Sequence, residues 1–282
     1  MRRDIFINGA APLLAISGRD LGGHDRSRLV SDPGAAARAG LVLPVELLHP
    51  EPFVIRVVEG ELDGKETSEW VGHVASRLVC PEGVLHLEAG FGPLPDLASL
   101  RELRVASGVL RIDLYTYLGG TLNGDACYGQ VSGSVPLGRW FRASRPGEEF
   151  PDWLALRCLE DPEVDPGFEA DWQELAGTRS LARTRSRLQA RPALAFVLQV
   201  RPQGEGVGVT ELGARGWVPA TAGARLPDFC PRGIDATVAL EEESEDTDLP
   251  MSTELPDGVQ TPAGDRERGF WARVSRWVGR GD

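Results

Sequence analysis

Residues 70–91, WVGHVASRLVCPEGVLHLEAGF, alternate apolar and polar side chains on both sides of a Glu82-Gly83 pair. Alternation with a period of two marks a strand with one buried face. Gly83 supplies the positive φ that a two-residue hairpin turn requires. Counting outward from the turn sets Cys80 opposite Leu85, Leu78 opposite Leu87, Ser76 opposite Ala89 and Val74 opposite Phe91 on one face. Arg77 then meets Glu88, and Val79 meets His86, on the other. A slip of one residue would turn one apolar set outward, so the spacing predicts a hairpin in this register.

The same period recurs in VLRIDLYTYL (109–118), ALAFVLQVR (193–201) and IDATVAL (234–240). PFVIRVV (52–58) is apolar enough for burial on both faces, and IFIN and LLAIS near the start add one or two strands. Helical signals lie between these groups. PDWLALRCLE (151–160) opens on a proline suited to a first helical turn. Asp165 is placed to cap a second helix running to Gly177, and TRSLARTRSRLQAR extends helix to about Arg191. Strands early and late around inserted helices predict an α+β fold: a mainly antiparallel, sandwich-like β body with a helical insertion.

Charge divides the chain. Residues 241–265 hold nine acidic side chains and no basic one, whereas 266–282 hold five arginines against Glu267 and Asp282. The 282 residues carry a net charge of −12, so the first 240 are mildly acidic. The expected organisation is a folded body over 1–240, a disordered acidic linker over 241–265, and a basic amphipathic helix over 266–282. An acidic body argues against nucleic acid as a partner. No stretch approaches the roughly 20 apolar residues of a membrane span. Asp4 and Asn8 interrupt the apolar start before a signal-peptide core forms. Cys80, Cys127, Cys158 and Cys230 are too scattered for a zinc site or a disulfide framework and read as reduced thiols of a cytoplasmic protein. Lys65 is the sole lysine; with abundant Ala and Gly this usage is that of a GC-rich bacterial genome.

Two arginine-bearing segments are candidate binding surfaces. Arg139, Trp140, Phe141, Arg142, Arg145 and Trp153 concentrate the residue types found at binding hot spots; the same types also pin a loop to its core by stacking arginine on rings. Arg179, Arg183, Arg187 and Arg191 recur every four residues, a single stripe on a helix, which reads either as an anion site or as a solvated face paired with carboxylates such as Glu169 and Asp171. The acidic run 241–246 is a further occupant for it, in cis. His73 and His86 share the polar face of the expected hairpin, but their spacing is not a ligand pattern. EDPEVDPGFEAD (160–171) lacks the order of a calcium loop. The Gly-rich stretches 117–130 and 204–209 match no phosphate-binding motif and read as turns. Nucleophile motifs are missing as well. The reading contains no cofactor, metal or small-molecule ligand.

At the C-terminus Phe270, Trp271, Val274, Trp277 and Val278 fall within an arc of about 120° on a helix. Arg268, Arg273, Arg276 and Arg280 lie outside it. This segment resembles the short C-terminal membrane-targeting helices of peripheral bacterial division and positioning proteins. The resemblance implies docking on an anionic membrane for the tail alone and nothing about the body. A groove on a partner protein would read the same anchors, and the chain's own body is the third surface. The expected function is a non-enzymatic adaptor: the body binds a protein partner, and the tethered helix docks at the inner face of the plasma membrane or on the partner. Two alternatives stand beside it, an acidic immunity-type neutraliser of a basic partner and an enzyme with an unrecognised site.

Overall fold

The computed structural model describes residues 1–8, 12–21, 32–89, 99–160, 178–203, 212–213, 216–219 and 221–240. The acidic linker, the terminal helix and the helix expected from Asp165 to Gly177 lie outside the described residues.

Ten strands build two five-stranded sheets. The first runs β1 (Arg2–Ile7), β4 (Phe53–Glu59), β9 (Phe196–Pro202), β8 (Gly108–Tyr117), β5 (Trp70–Cys80). The second runs β10 (Val218–Pro219), β3 (Val42–Glu46), β2 (Leu13–Ser17), β6 (Val84–Ala89), β7 (Ser99–Arg104). Pairing is antiparallel except for β4 with β9 and β10 with β3. The main core lies between the sheets. Ile55, Leu78, Ile112 and Leu198 of the first meet Ile16, Leu43, Leu87 and Leu103 of the second. This is the β-rich α+β sandwich that the alternating patterns call for.

The hairpin is where the pattern misleads. Gly83 does take φ +66°, and the predicted inward residues are buried from Val74 to Ala89. Yet β5 and β6 belong to different sheets: β5 pairs with β8 over its whole length, and β6 pairs with β2 and β7. Arg77 therefore faces Arg111 instead of Glu88, and Val79 faces Val109 instead of His86. Two apolar faces are buried equally well side by side or across a sandwich, and periodicity cannot tell the two apart. The turn is held by the strand connection beyond it, with the Val105 N–H donating to the Gly83 carbonyl at 2.9 Å. A Cβ on Gly83 would stand 2.8 Å from the Val105 oxygen, so glycine is needed there for close approach as well as for φ.

Residues 234–240 form no ladder strand. One bridge, Ala193 to Asp235, marks their course. They lie over the outer face of the first sheet, where Ile234 and Ala236 pack in a cluster with Val54, Val58 and Val197. Their alternation comes from face packing, not from pairing.

Six helices are described: α1 (Pro33–Arg38), α2 (Gly64–Ser68), α3 (Leu122–Val131), α4 (Leu137–Ser144), α5 (Asp152–Glu160) and α6 (Leu181–Ala190). The region 117–130, read as turns, contains α3. Its start is well satisfied, with the Thr121 hydroxyl capping Asn123 and Glu51 Oε1 accepting from the Leu122 N–H at 2.5 Å. Glycine masks this helix because it lowers helix propensity, but at position 124 it is needed: a Cβ there would stand 2.3 Å from the Tyr117 carbonyl oxygen on β8. Gly124→Ala is expected to cost about 2 kcal/mol by overpacking against backbone, read as a lower midpoint in urea denaturation. An unchanged midpoint would show that α3 is free to move off the strand.

Candidate functional site

The aromatic-arginine segment forms a second small core. Phe141 and Trp153 are buried, with Phe150, Tyr128 and Cys230 in the same cluster. Phe141 meets Phe150 edge-on with centroids 5.1 Å apart, and Trp140 stacks on Tyr128 at 5.0 Å. The arginines serve the same packing. Arg142 lies 4.2 Å over the Phe150 ring, and Arg145 donates to the Cys230 carbonyl at 2.6 Å and pairs with Glu148. Trp153 Nε1 donates to the Arg232 carbonyl at 2.9 Å. Of the six residues named from sequence, only Arg139 is exposed; Arg145 and Trp153 tie α4 and α5 to the segment 229–233.

The four-arginine stripe does not form on one helix. Ser180 caps α6, and its C-cap Arg191 leaves the helical region, with φ −140° and ψ 75°, just before Pro192, which disfavours helical backbone at the preceding residue. Only Arg183 and Arg187 lie within the helix. Arg179 is anchored, donating to Asp152 at 2.9 Å and to the Phe150 carbonyl at 2.8 Å, and Arg187 reaches the same carboxylate at 3.4 Å. The pairing carboxylate is thus Asp152; Glu169 and Asp171 lie outside the described residues.

The densest polar array is on the outer face of the first sheet, where strands distant in sequence meet. Asp113 of β8 is wholly buried. Its carboxylate accepts from Arg111 at 2.7 and 2.8 Å, from Arg201 at 2.9 Å, and pairs with His73 Nε2 at 2.9 Å. Burial alone would push the Asp113 carboxyl up. The hydrogen bonds from His73, Arg111 and Arg201 outweigh it and hold the group well below the usual carboxylate range. Register places Arg77, Arg111 and Arg201 directly side by side across β5, β8 and β9. One step along the sheet, His73 stacks on Tyr115 at 4.6 Å, Trp70 packs on both, and Arg225 lies 3.4 Å over Trp70. Gln199, between Asp113 and Val58 in register, donates to the Gly60 carbonyl at 2.6 Å.

This array escaped sequence reading. Each arginine looked like the solvent-facing half of an ordinary strand, and the two histidines were placed on one hairpin face. His73 is on the first sheet beside Asp113, whereas His86 is on the second, 3.6 Å from Glu102. The legible signal was Arg111 and Asp113 two apart on one strand face. A pair so spaced is adjacent, and a charged pair within an otherwise apolar sheet marks a polar centre.

Among the described residues no group of His, Cys, Asp and Glu gathers as metal ligands, and no helix is long and apolar enough to cross a membrane. The four cysteines form no disulfide; burial pushes Cys127 up to about 12, out of reach of thiolate chemistry at neutral pH.

No family model matches the chain, and no curated protein does. Among solved structures, the chain is similar to the protein titled "Crocagin biosynthetic gene J", with a TM-score of 0.36 and 10% identity, covering 72% of this chain and 98% of that one. A likeness this distant transfers no function.

Proposed function

We propose that this chain is a non-enzymatic adaptor whose body binds a protein partner and whose C-terminal helix docks it on an anionic membrane surface. The observation that carries the reading is the terminal pattern: five large apolar residues, Phe270 to Val278, on one arc with four arginines off it. Leu240 is still tied down, its N–H donating to the Gln189 carbonyl at 3.0 Å, and 25 acidic-linker residues separate it from the arginine-rich end. Docking of one such helix is weak and reversible, so stable attachment needs a second contact.

Co-sedimentation tests this with vesicles of phosphatidylglycerol and phosphatidylcholine, and of phosphatidylcholine alone. Full-length protein is expected to pellet with the anionic vesicles. The full chain carrying Trp271→Glu and Trp277→Glu, and a truncation after Gly264, are expected to stay in solution. Full-length protein that stays in solution with both vesicles removes the membrane reading and leaves a partner groove or the chain's own body as the docking surface.

A further inference from the structure

We propose that the row Arg77, Arg111 and Arg201 on the outer face of the first sheet is a binding site for a phosphate-class dianion. The inference stands apart from the adaptor reading and rests on the body alone.

Three arginines stand directly side by side in register on one face of adjacent strands, which in a sheet are about 4.8 Å apart. Like charges directly opposite one another destabilise a sheet, so such a row calls for a compensating anion. Asp113 supplies one negative charge, and with it the row keeps a surplus of two positive charges. Asp113 has no capacity left for a third arginine. Its two oxygens already take two donors from Arg111, one from Arg201 and the contact of His73, which fills the roughly four lone-pair sites of a carboxylate. Arg77 is exposed, and its side chain has no ion pair or hydrogen bond among the described residues. Arg201 is also short of acceptors: its Nε is enclosed and has no hydrogen-bond partner, an exception that buried polar groups rarely show.

The arrangement is ready-made for an oxyanion. Asp113, which His73 contacts from the neighbouring strand β5, positions the forks of Arg111 and Arg201 on the sheet surface, and both side chains remain about one-third exposed. Arg111 and Arg201 each keep N–H groups that do not donate to Asp113, and among the described residues the Arg77 side chain has no hydrogen-bond partner, so these groups can meet oxygens above the sheet. Arginine binds carboxylate and phosphate alike through such forks. The surplus decides between them, because one doubly charged phosphate matches two positive charges where a carboxylate matches one. The surrounding body is acidic, so this patch stands against the sign of its own protein.

Calorimetric titration of the full chain tests the site, with sodium phosphate, O-phosphoserine and sodium acetate at one ionic strength. Phosphate and phosphoserine are expected to bind and acetate not to. Tighter binding of phosphoserine identifies a phosphorylated group as the source, and equal binding identifies free phosphate. Arg77→Ala, which breaks no recorded contact, is expected to keep the wild-type thermal midpoint in chloride and to weaken phosphate binding about tenfold. Arg139→Ala, an exposed arginine elsewhere, is expected to leave it unchanged. Acetate binding as tightly as phosphate, no phosphate binding, or equal affinity in the Arg77 variant would overturn the proposal.

Discussion

Replacing Arg56 with alanine is expected to destabilise the body by about 3–5 kcal/mol, because it leaves buried carboxylates without their cation. Arg56 lies within β4, whose residues from Phe53 to Val58 are otherwise all apolar. Its guanidinium is bidentate on Asp4, at 2.6 and 2.8 Å, and reaches Glu66 at 3.3 Å; all three residues are buried. Burial alone would raise the Asp4 carboxyl, but Arg56 and Thr237 donate to it and hold it below its usual range. Without Arg56, Asp4 keeps only the Thr237 N–H and hydroxyl at 2.7 and 2.9 Å, and Glu66 keeps Arg2 and the Asp63 N–H. Those residual partners place the loss toward the lower end. The sign with pH is fixed. Asp4 has a depressed folded value, so its contribution is full above the unfolded carboxylate pKa of about 3.9 and fades as pH falls below it. In Arg56→Ala the Asp4 carboxylate, left without its cation, is relieved by protonation. The gap between variant and wild type in urea denaturation should therefore narrow from pH 7 toward pH 4. A gap that stays constant would show that lost packing, not charge, sets the cost.

Asp113→Ala is the second large effect, expected at about 2–4 kcal/mol. The carboxylate is wholly buried, but Arg111 and Arg201 keep access to water, so the charges left behind are less costly than those around Arg56. Asp113→Asn keeps the shape and one acceptor and should recover part of the loss. Because the folded Asp113 carboxyl sits well below its unfolded value, its contribution is complete above about pH 4 and is lost as pH falls further. The wild-type stability curve should bend downward in that acid range more steeply than that of Asp113→Ala. Parallel curves would mean that Asp113 is not the ionised centre of the row.

These two centres also show what could be read in advance. The strands β1, β2, β4, β8 and β9 and the helix α5 announce themselves, because burial on one face imposes a period that survives in sequence. The helix α2 carries a legible signal that was passed over: Asp63 and Glu66 at capping-box spacing, with both reciprocal bonds formed. The aromatic-arginine segment was read with two meanings, and the packing of Phe141 and Trp153 selects the pinned-core meaning for those two residues. Arg56 and Asp113 could be seen as charges in apolar strands, but not their partners, since Asp4 and Glu66 lie 52 and 10 residues from Arg56 and Arg201 lies 88 from Asp113.

Sequence alone determined the kind of structure: alternating strands, inserted helices, an α+β sandwich-like body, and a charge pattern that changes after Leu240. Each of these follows from local periodicity and composition. Tertiary structure alone decided partnership. It sent β5 and β6 to opposite sheets, laid 234–240 across a sheet face instead of along an edge, and set Arg111, Arg201 and His73 from three strands around one carboxylate. The reason is physical. A side chain's period records that it is buried, whereas the neighbour it is buried against is chosen by the closing of the whole sandwich.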